Sequence, residues 1–372
     1  MGTGMGGSLD MKSILVIYTG GTVGMVRDKV SGALVPLDFN EVSKHVPELD
    51  HAGIRVEAVS FDTPIDSSDV APRHWRSIAS TVMECMDRFD GFVVLHGTDT
   101  MAYTASALSF MLEGLRKPVI LTGSQLPIGI PRTDGRENLL SALMLAAHTT
   151  NGQATIQEVA VYFGNHLFRG NRTHKESALS LQALISPNHP ALVEAGVEFQ
   201  INTPSLWRPP SDKQTSPQLH LGLRTEVAWV PLFPGMPMEG LRRTLEWEDL
   251  RGVVLATFGS GNAPTSQLLR DLLRSARDRG VTLVNVTQCG HGGVHPERYA
   301  TSHMLAGCGV IPGRDMTTEA ALTKLMHVLA LSDDAEHIRE LMTSNLRGEL
   351  TPQQWSQTQG HGPAGAAGLD LA

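Results

Sequence analysis

Cysteine is scarce, cationic charge is in deficit and long apolar runs are missing from this chain of 372 residues. Each shortage removes a class of protein. The three cysteines, Cys85, Cys289 and Cys308, are odd in number and far apart, which is neither the framework of a disulfide-stapled secreted domain nor the spacing of a metal site. With 30 Lys and Arg against 38 Asp and Glu the formal charge is −8, and binding to nucleic acid needs clustered cations to neutralise phosphate. Nucleic acid is not an expected partner. No apolar stretch is long enough to cross a bilayer, so a membrane partner is not expected either. Met1 to Asp10 is Gly-rich and lacks the charged-then-apolar order of a signal peptide, so the expected location is cytoplasmic. The Gly-Gly pair before Thr22 does not make a dinucleotide-binding G-x-G-x-x-G, the Gly-Lys-Ser/Thr of a phosphate loop is absent, and Gly259-Ser260-Gly261 has the wrong spacing for a nucleophile elbow. No cofactor and no metal are implied.

What is present is a series of apolar strands that end in glycine and hydroxyl residues. The chain is organised around Gly91 to Ala105, an apolar run that breaks at Gly97, sets down Thr98-Asp99-Thr100 and resumes at helical spacing. That pattern reads as strand, turn, helix, and in open α/β sheets ligands bind where the chain leaves the carboxyl end of a strand. Taken alone, the triplet could do no more than cap a helix. Ile14 to Met25 repeats the design, with Thr19-Gly20-Gly21-Thr22 at its exit. Two such exits suggest one shared pocket.

In chain order, Gly24 to Pro36 reads as a loop with glycines at both ends, suited either to closing over a ligand or to a passive hairpin. Val56 to Phe61 reads as a strand, and Asp66-Ser67-Ser68-Asp69 precedes a helix from about Pro72 to Phe89. That acidic and hydroxyl group could bind a small carboxylate or merely cap. Strand 92–95, helix 101–115, a strand ending at Thr122-Gly123-Ser124-Gln125, helix 139–148 and strand Val159 to Phe163 follow. Such alternation implies a doubly wound, mainly parallel sheet. Lys175, in the polar stretch Asn165 to Lys175, would be a surface charge unless the fold returns it to Thr98 and Asp99.

A Pro-rich stretch from Asn202 to Gln218 reads as a linker. Beyond it, strands at 226–232 and 252–257 alternate with helices near 264–279 and 318–332, and glycine-rich exits recur at Gly259 to Asn262 and Cys289 to Gly293. The expected fold is α/β: a larger N-terminal domain with a doubly wound, mainly parallel sheet, and a smaller C-terminal α/β domain with a parallel sheet. The expected divisions are a flexible terminus 1–10, a catalytic domain 11–201, a linker 202–222, a second domain 223–350 and a disordered tail 351–372.

A threonine hydroxyl is a weak nucleophile until a neighbour takes its proton, and a Thr-Asp pair reached by a lysine supplies such a relay. Acyl transfer or hydrolysis is the chemistry that these residues suit.

At this point the sequence resembles the L-asparaginases of the cytosolic, type I kind, from about Ile14 to Glu349. The resemblance rests on Thr19-Gly-Gly-Thr22 and His96-Gly-Thr-Asp-Thr-Met-Ala102 in order. It extends to Asp66-Ser67-Ser68, Asp134 to Leu140, Arg169 to Lys175 and Asp315 to Ala321. It implies that Thr22 attacks the side-chain amide of L-asparagine to form an acyl-enzyme that water hydrolyses. Thr98, Asp99 and Lys175 would form the second hydroxyl and its proton relay, and Asp66, Ser67, Ser68, Thr98 and Asp99 would hold the substrate. No tyrosine lies between Thr22 and Pro36, whereas Tyr299 occupies the position from which a later-domain tyrosine assists in type I relatives. The arginine that cooperative relatives carry near Thr257 to Asn262 is missing. The resemblance also implies a homodimer or homotetramer and a weaker action on glutamine. Two alternatives remain: the amidase subunit of a tRNA-dependent amidotransferase, which would be expected to carry a further N-terminal domain before a first strand near Ile14, and a non-catalytic amino-acid sensor.

Overall fold

The computed structural model describes residues 11–21, 25–27, 34–36, 53–128, 130–208, 216–295 and 300–352. The readings of 1–10 and of 353–372 lie outside the described residues, as do Thr22 and Tyr299. Within 24–36, Met25–Arg27 pairs antiparallel with Leu34–Pro36.

Among the described residues the first sheet contains β1 (Lys12–Gly20), β2 (Ile54–Ile65), β3 (Gly91–Leu95), β4 (Val119–Thr122), β5 (Val159–Phe163), β6 (His166–Arg169), β7 (Val193–Ala195) and β8 (Phe199–Ile201). Their order across the sheet is β8-β7-β6-β5-β4-β3-β1-β2. Pairing is parallel from β2 through β5 and antiparallel from β5 to β8. Helices α1 (Pro72–Glu84), α2 (Met101–Met111) and α3 (Gly135–Ala147) connect the parallel strands.

Successive side chains of a strand point to opposite faces, and β1 obeys this closely. Leu15 and Ile17 join the core under α1 and α2, whereas Ile14, Val16 and Tyr18 join the core under α3. Both faces are therefore covered, which is why the strands are near-continuously apolar. From β1 the chain crosses to β2 on one side and then to β3 on the other. This reversal makes a crevice at the carboxyl ends of β1 and β3, where doubly wound sheets bind ligands.

The second sheet holds β9 (Val227–Pro231), β10 (Gly252–Thr257), β11 (Thr282–Thr287) and β12 (Ile311–Pro312), all parallel. With it go α4 (Met238–Leu245), α5 (Gln267–Asp278), α6 (Ala300–Gly307), α7 (Thr318–Leu331) and α8 (Ala335–Thr343). Helix α7 packs on this sheet and also against α2 of the first domain. That double cover explains why α2 is buried along almost its whole length.

Several boundaries differ from the sequence reading. The helix expected over 101–115 stops at Met111, because Leu112–Glu113 pairs with Gln218–Leu219 inside the expected linker and Gly114 adopts a positive φ of 67°. The helix expected to reach Phe89 ends at Glu84, and the one expected at 139–148 begins at Gly135. Strand β2 runs on from Phe61 to Ile65, carrying the sheet edge up to Asp66.

Candidate active site

Three strand exits meet backbone to backbone in the crevice. Gly20 and Gly21 have φ of 137° and 82°, a region that L side chains rarely adopt. A Cβ on Gly20 would collide with the Ile65 carbonyl, and one on Gly21 would lie 2.5 Å from the Gly97 nitrogen. Gly97 in turn has Ser67 against it, so that a Cβ there would lie 2.5 Å from Ser67 Oγ. The Thr19 hydroxyl donates to the Leu95 carbonyl at 2.9 Å, tying β1 to β3 at the same level. The glycines thus bring together the end of β1, the stretch that carries Asp66 to Ser68 and the one that carries Thr98. Gly21 is the last described residue before Thr22.

Thr98 and Asp99 do not cap α2. Its N-cap is Thr100, which makes no capping bond with its side chain, and the Thr100 hydroxyl instead donates to the Ser67 carbonyl at 2.6 Å. The capping reading of the triplet therefore fails, and Thr98 and Asp99 are left to other partners. Lys175 reaches both across 77 and 76 residues of chain. It lies on the short strand His174–Lys175, paired with Leu184–Ile185. Its Nζ donates to Thr98 Oγ1 at 2.9 Å and to Asp99 Oδ1 at 2.5 Å. Thr98 is buried, while the Asp99 side chain is 63% exposed. The pair therefore opens to solvent on the carboxylate side.

Asp66 caps a single turn, Ser67–Asp69, accepting from the Ser68 N–H at 2.9 Å and the Ser68 hydroxyl at 2.8 Å. Those two bonds hold its carboxyl below the usual range, so it is an anion at neutral pH. Asp66 and Ser68 are exposed and Ser67 is buried. The capping interpretation of this group is correct for the turn, and an outward-facing anion remains.

Behind the cluster, His96 is fully enclosed. Burial lowers its pKa to about 4, so the ring is neutral. Its Nδ1 lies 2.7 Å from the Gly97 carbonyl, which can only accept, so Nδ1 carries the proton. Nε2 then accepts from the Thr104 hydroxyl at 2.9 Å, and Thr104 accepts the Trp75 indole N–H at 3.0 Å. Every polar atom of this buried chain is matched, as its burial requires.

The sequence reading passed over several contributors. Gln125 Oε1 accepts the Thr98 hydroxyl at 3.1 Å; its only signal was its place at the exit of β4. Arg172, in the stretch that leads to Lys175, pairs with Asp315 at 2.8 Å, and His174 pairs with Glu319 at 2.8 Å. Asp315 to Ala321 carries part of the family resemblance without an evident role in the sequence, and its carboxylates prove to clasp the segment that carries Lys175.

The sheet order, the switch-point crevice and a lysine shared between a buried threonine and an exposed carboxylate make this a doubly wound α/β protein with a candidate acid–base site at the strand exits. Similarity to known proteins specifies it further. The Asparaginase, N-terminal family model matches residues 13–206, and the Glutaminase/Asparaginase C-terminal domain model matches residues 226–342. The chain belongs to the asparaginase/glutaminase family. It is 44% identical over 346 residues to L-asparaginase 1 of Escherichia coli (strain K12), covering 92% of this chain and 99% of the relative. The crystal structure of L-asparaginase I from Vibrio cholerae superposes with a TM-score of 0.81 at 40% identity, covering 92% of this chain and 99% of that one. L-asparaginase of Thermococcus kodakarensis is 36% identical over 346 residues, covering 91% of this chain and 99% of the relative.

Proposed function

We propose that this protein is an L-asparagine amidohydrolase, releasing L-aspartate and ammonia, with L-glutamine a poorer substrate. The observation that carries the reading is the convergence of Lys175 on Thr98 and Asp99. A lysine held between a buried hydroxyl and an open carboxylate is equipped to move a proton at the hydroxyl. Family membership and the 44% identity to an L-asparaginase support the choice of substrate.

In this mechanism the Thr22 hydroxyl adds to the side-chain amide carbon and its proton passes to the departing nitrogen, which leaves as ammonia. Water then attacks the acyl-enzyme, gives its proton back to Thr22 Oγ1 and frees aspartate. Thr98, Lys175 and Asp99 form the relay, and a donor aimed at the developing oxyanion is the largest single aid to such chemistry. Asp66 and Asp99 receive the α-ammonium, Ser67 and Ser68 the α-carboxylate, and Tyr299 assists from the second domain. The active form is a cytoplasmic homodimer or homotetramer that needs no cofactor.

The test is ammonia release from purified protein with L-asparagine and with L-glutamine, for the wild type and for Thr22→Ala. Asparagine is expected to be the better substrate and the variant to be folded but inactive. Ammonia release only in the presence of aminoacylated tRNA would favour the amidotransferase reading. Calorimetric binding of asparagine without turnover would favour a sensor.

A further inference from the structure

We infer that Gln125 is a positioning residue that fixes the direction of the Thr98 hydroxyl, and that Asp134 holds it in place. The inference deepens the proposed function and rests on that reading for its catalytic consequence. Asp134 stands at the N-cap of α3, where a carboxylate would ordinarily accept N–H groups of the helix, yet it makes no capping bond. It turns instead to the exit of β4. Its oxygens accept the Gln125 N–H at 2.9 Å and the Leu126 N–H at 3.0 Å, with the Asn138 side-chain amide adding a bond at 3.3 Å. The Asn138 amide also donates to the Gly123 carbonyl at 3.0 Å. A carboxylate diverted from its own helix thus fixes the backbone that presents the Gln125 side chain.

The bonds of that side chain allow one orientation. Gln125 Nε2 donates to the Ser180 carbonyl at 3.1 Å, an atom that can only accept. Oε1 must then face Thr98, and at 3.1 Å the Thr98 hydroxyl must be the donor. Its proton committed, Thr98 offers a lone pair to Lys175 Nζ at 2.9 Å. Without Gln125 the hydroxyl proton would lose its fixed acceptor and could swing about the Cβ–Oγ1 bond, carrying the lone pair off the line to Lys175 Nζ. Gln125 therefore fixes the geometry of the relay: lysine donates, threonine accepts, and the threonine proton is held on the side away from the lysine.

Two variants separate this role from that of a strut. Gln125→Met fills similar space and loses both bonds; Gln125→Glu keeps the acceptor toward Thr98 and loses the donor toward Ser180. With L-asparagine as substrate, Gln125→Met should lower kcat by about 10- to 100-fold with KM within about threefold, the pattern of an interaction that matters mainly in the transition state. Gln125→Glu should recover most of that loss. If Gln125 served only to anchor the 177–182 loop through Ser180, Gln125→Glu would fall as far as Gln125→Met, and the inference would be overturned. A second readout needs no turnover: neutron diffraction from crystals of deuterium-exchanged protein, which places the Thr98 hydroxyl deuteron. It should point at residue 125 in the wild type and in Gln125→Glu, and lose that direction in Gln125→Met. A Thr98 deuteron that keeps its wild-type direction in Gln125→Met would contradict the inference even in a protein that releases no ammonia, which keeps its failure distinct from that of the proposed function.

Discussion

Two lysines, each 2.5 Å from a carboxylate, sit in opposite surroundings in this molecule. Lys175 meets Asp99 with side chains 18% and 63% exposed, whereas Lys324 on α7 meets Glu349 with both side chains wholly enclosed. Lys324 Nζ also donates to the Met342 and Ser344 carbonyls, and Glu349 accepts the Leu346 and Arg347 N–H groups. The buried pair is saturated on every side. Around Lys175 the second partner is a hydroxyl, and the carboxylate faces solvent. The same ionic contact is a structural bolt in one place and a solvent-reachable pair, the proposed proton relay, in the other, and what separates them is the supply of fixed partners and the access of water.

Electrostatics follow the same division. Burial lowers the Lys324 pKa, with the Glu349 charge opposing it; burial raises the Glu349 carboxyl, but the Lys324 ammonium and the two N–H donors overcome this and leave it lowered. Asp315 behaves alike, the Arg172 guanidinium and Thr351 outweighing burial. We assign the paired, charged state to both seams, because each carboxylate has several donors and each cation several acceptors.

The largest effect should come from breaking the bolt. Lys324→Met strands the Glu349 charge in the interior and should cost about 3–5 kcal/mol of stability. Urea denaturation would measure it, and Lys324→Met with Glu349→Leu should restore much of the loss. Arg172→Met should cost less, about 1.5–3 kcal/mol for charged hydrogen bonds lost, because Thr351 still donates to Asp315 through its N–H and hydroxyl. The same denaturation would rank the two. Lys175→Met should move the midpoint hardly at all, since a solvent-open pair contributes about 0–1 kcal/mol.

Smaller still is a pH effect at the clasp beside Lys175. The Glu319 hydrogen bond raises His174 above its ordinary 6.5, with burial opposing it. A histidine raised in the folded state stabilises fully below its unfolded pKa and ceases to do so as pH rises through the folded one. Thermal midpoints should therefore fall slightly from near-neutral to alkaline pH in the wild type, and Glu319→Gln should flatten that slope. The lowered Asp315 and Glu349 act with opposite sign. Their contribution is present above the ordinary carboxylate range and is lost as acid takes the pH down through their folded values.

Much of the first region was legible in the sequence, because it is written in local chemistry. Glycine, then hydroxyl, at the end of an apolar run marks a strand exit, and the two such exits, of β1 and β3, do lie side by side. Asp66 to Ser68 and Thr98-Asp99 do converge there, drawn together by Gly20, Gly21 and Gly97. The return of Lys175 could be expected only through the family resemblance, since no periodicity connects residues 77 positions apart. The bolt was illegible. Lys324 sits in a mainly apolar helix, and Glu349 follows a polar turn at the end of the second domain. Nothing local shows that they are buried against each other. Gln125 and Asp134 were hidden for a similar reason: each stands where a simpler local role, strand end or helix cap, would account for it.

The most direct test of the account is steady-state ammonia release from L-asparagine by Lys175→Met beside the wild type, with the thermal midpoint of each recorded on the same samples. A fall in kcat of about 10²- to 10⁴-fold, the scale of a lost proton-transfer group, is expected at an almost unchanged midpoint. A variant that hydrolyses asparagine within about threefold of the wild-type rate would reduce Lys175 to a surface charge and contradict the relay.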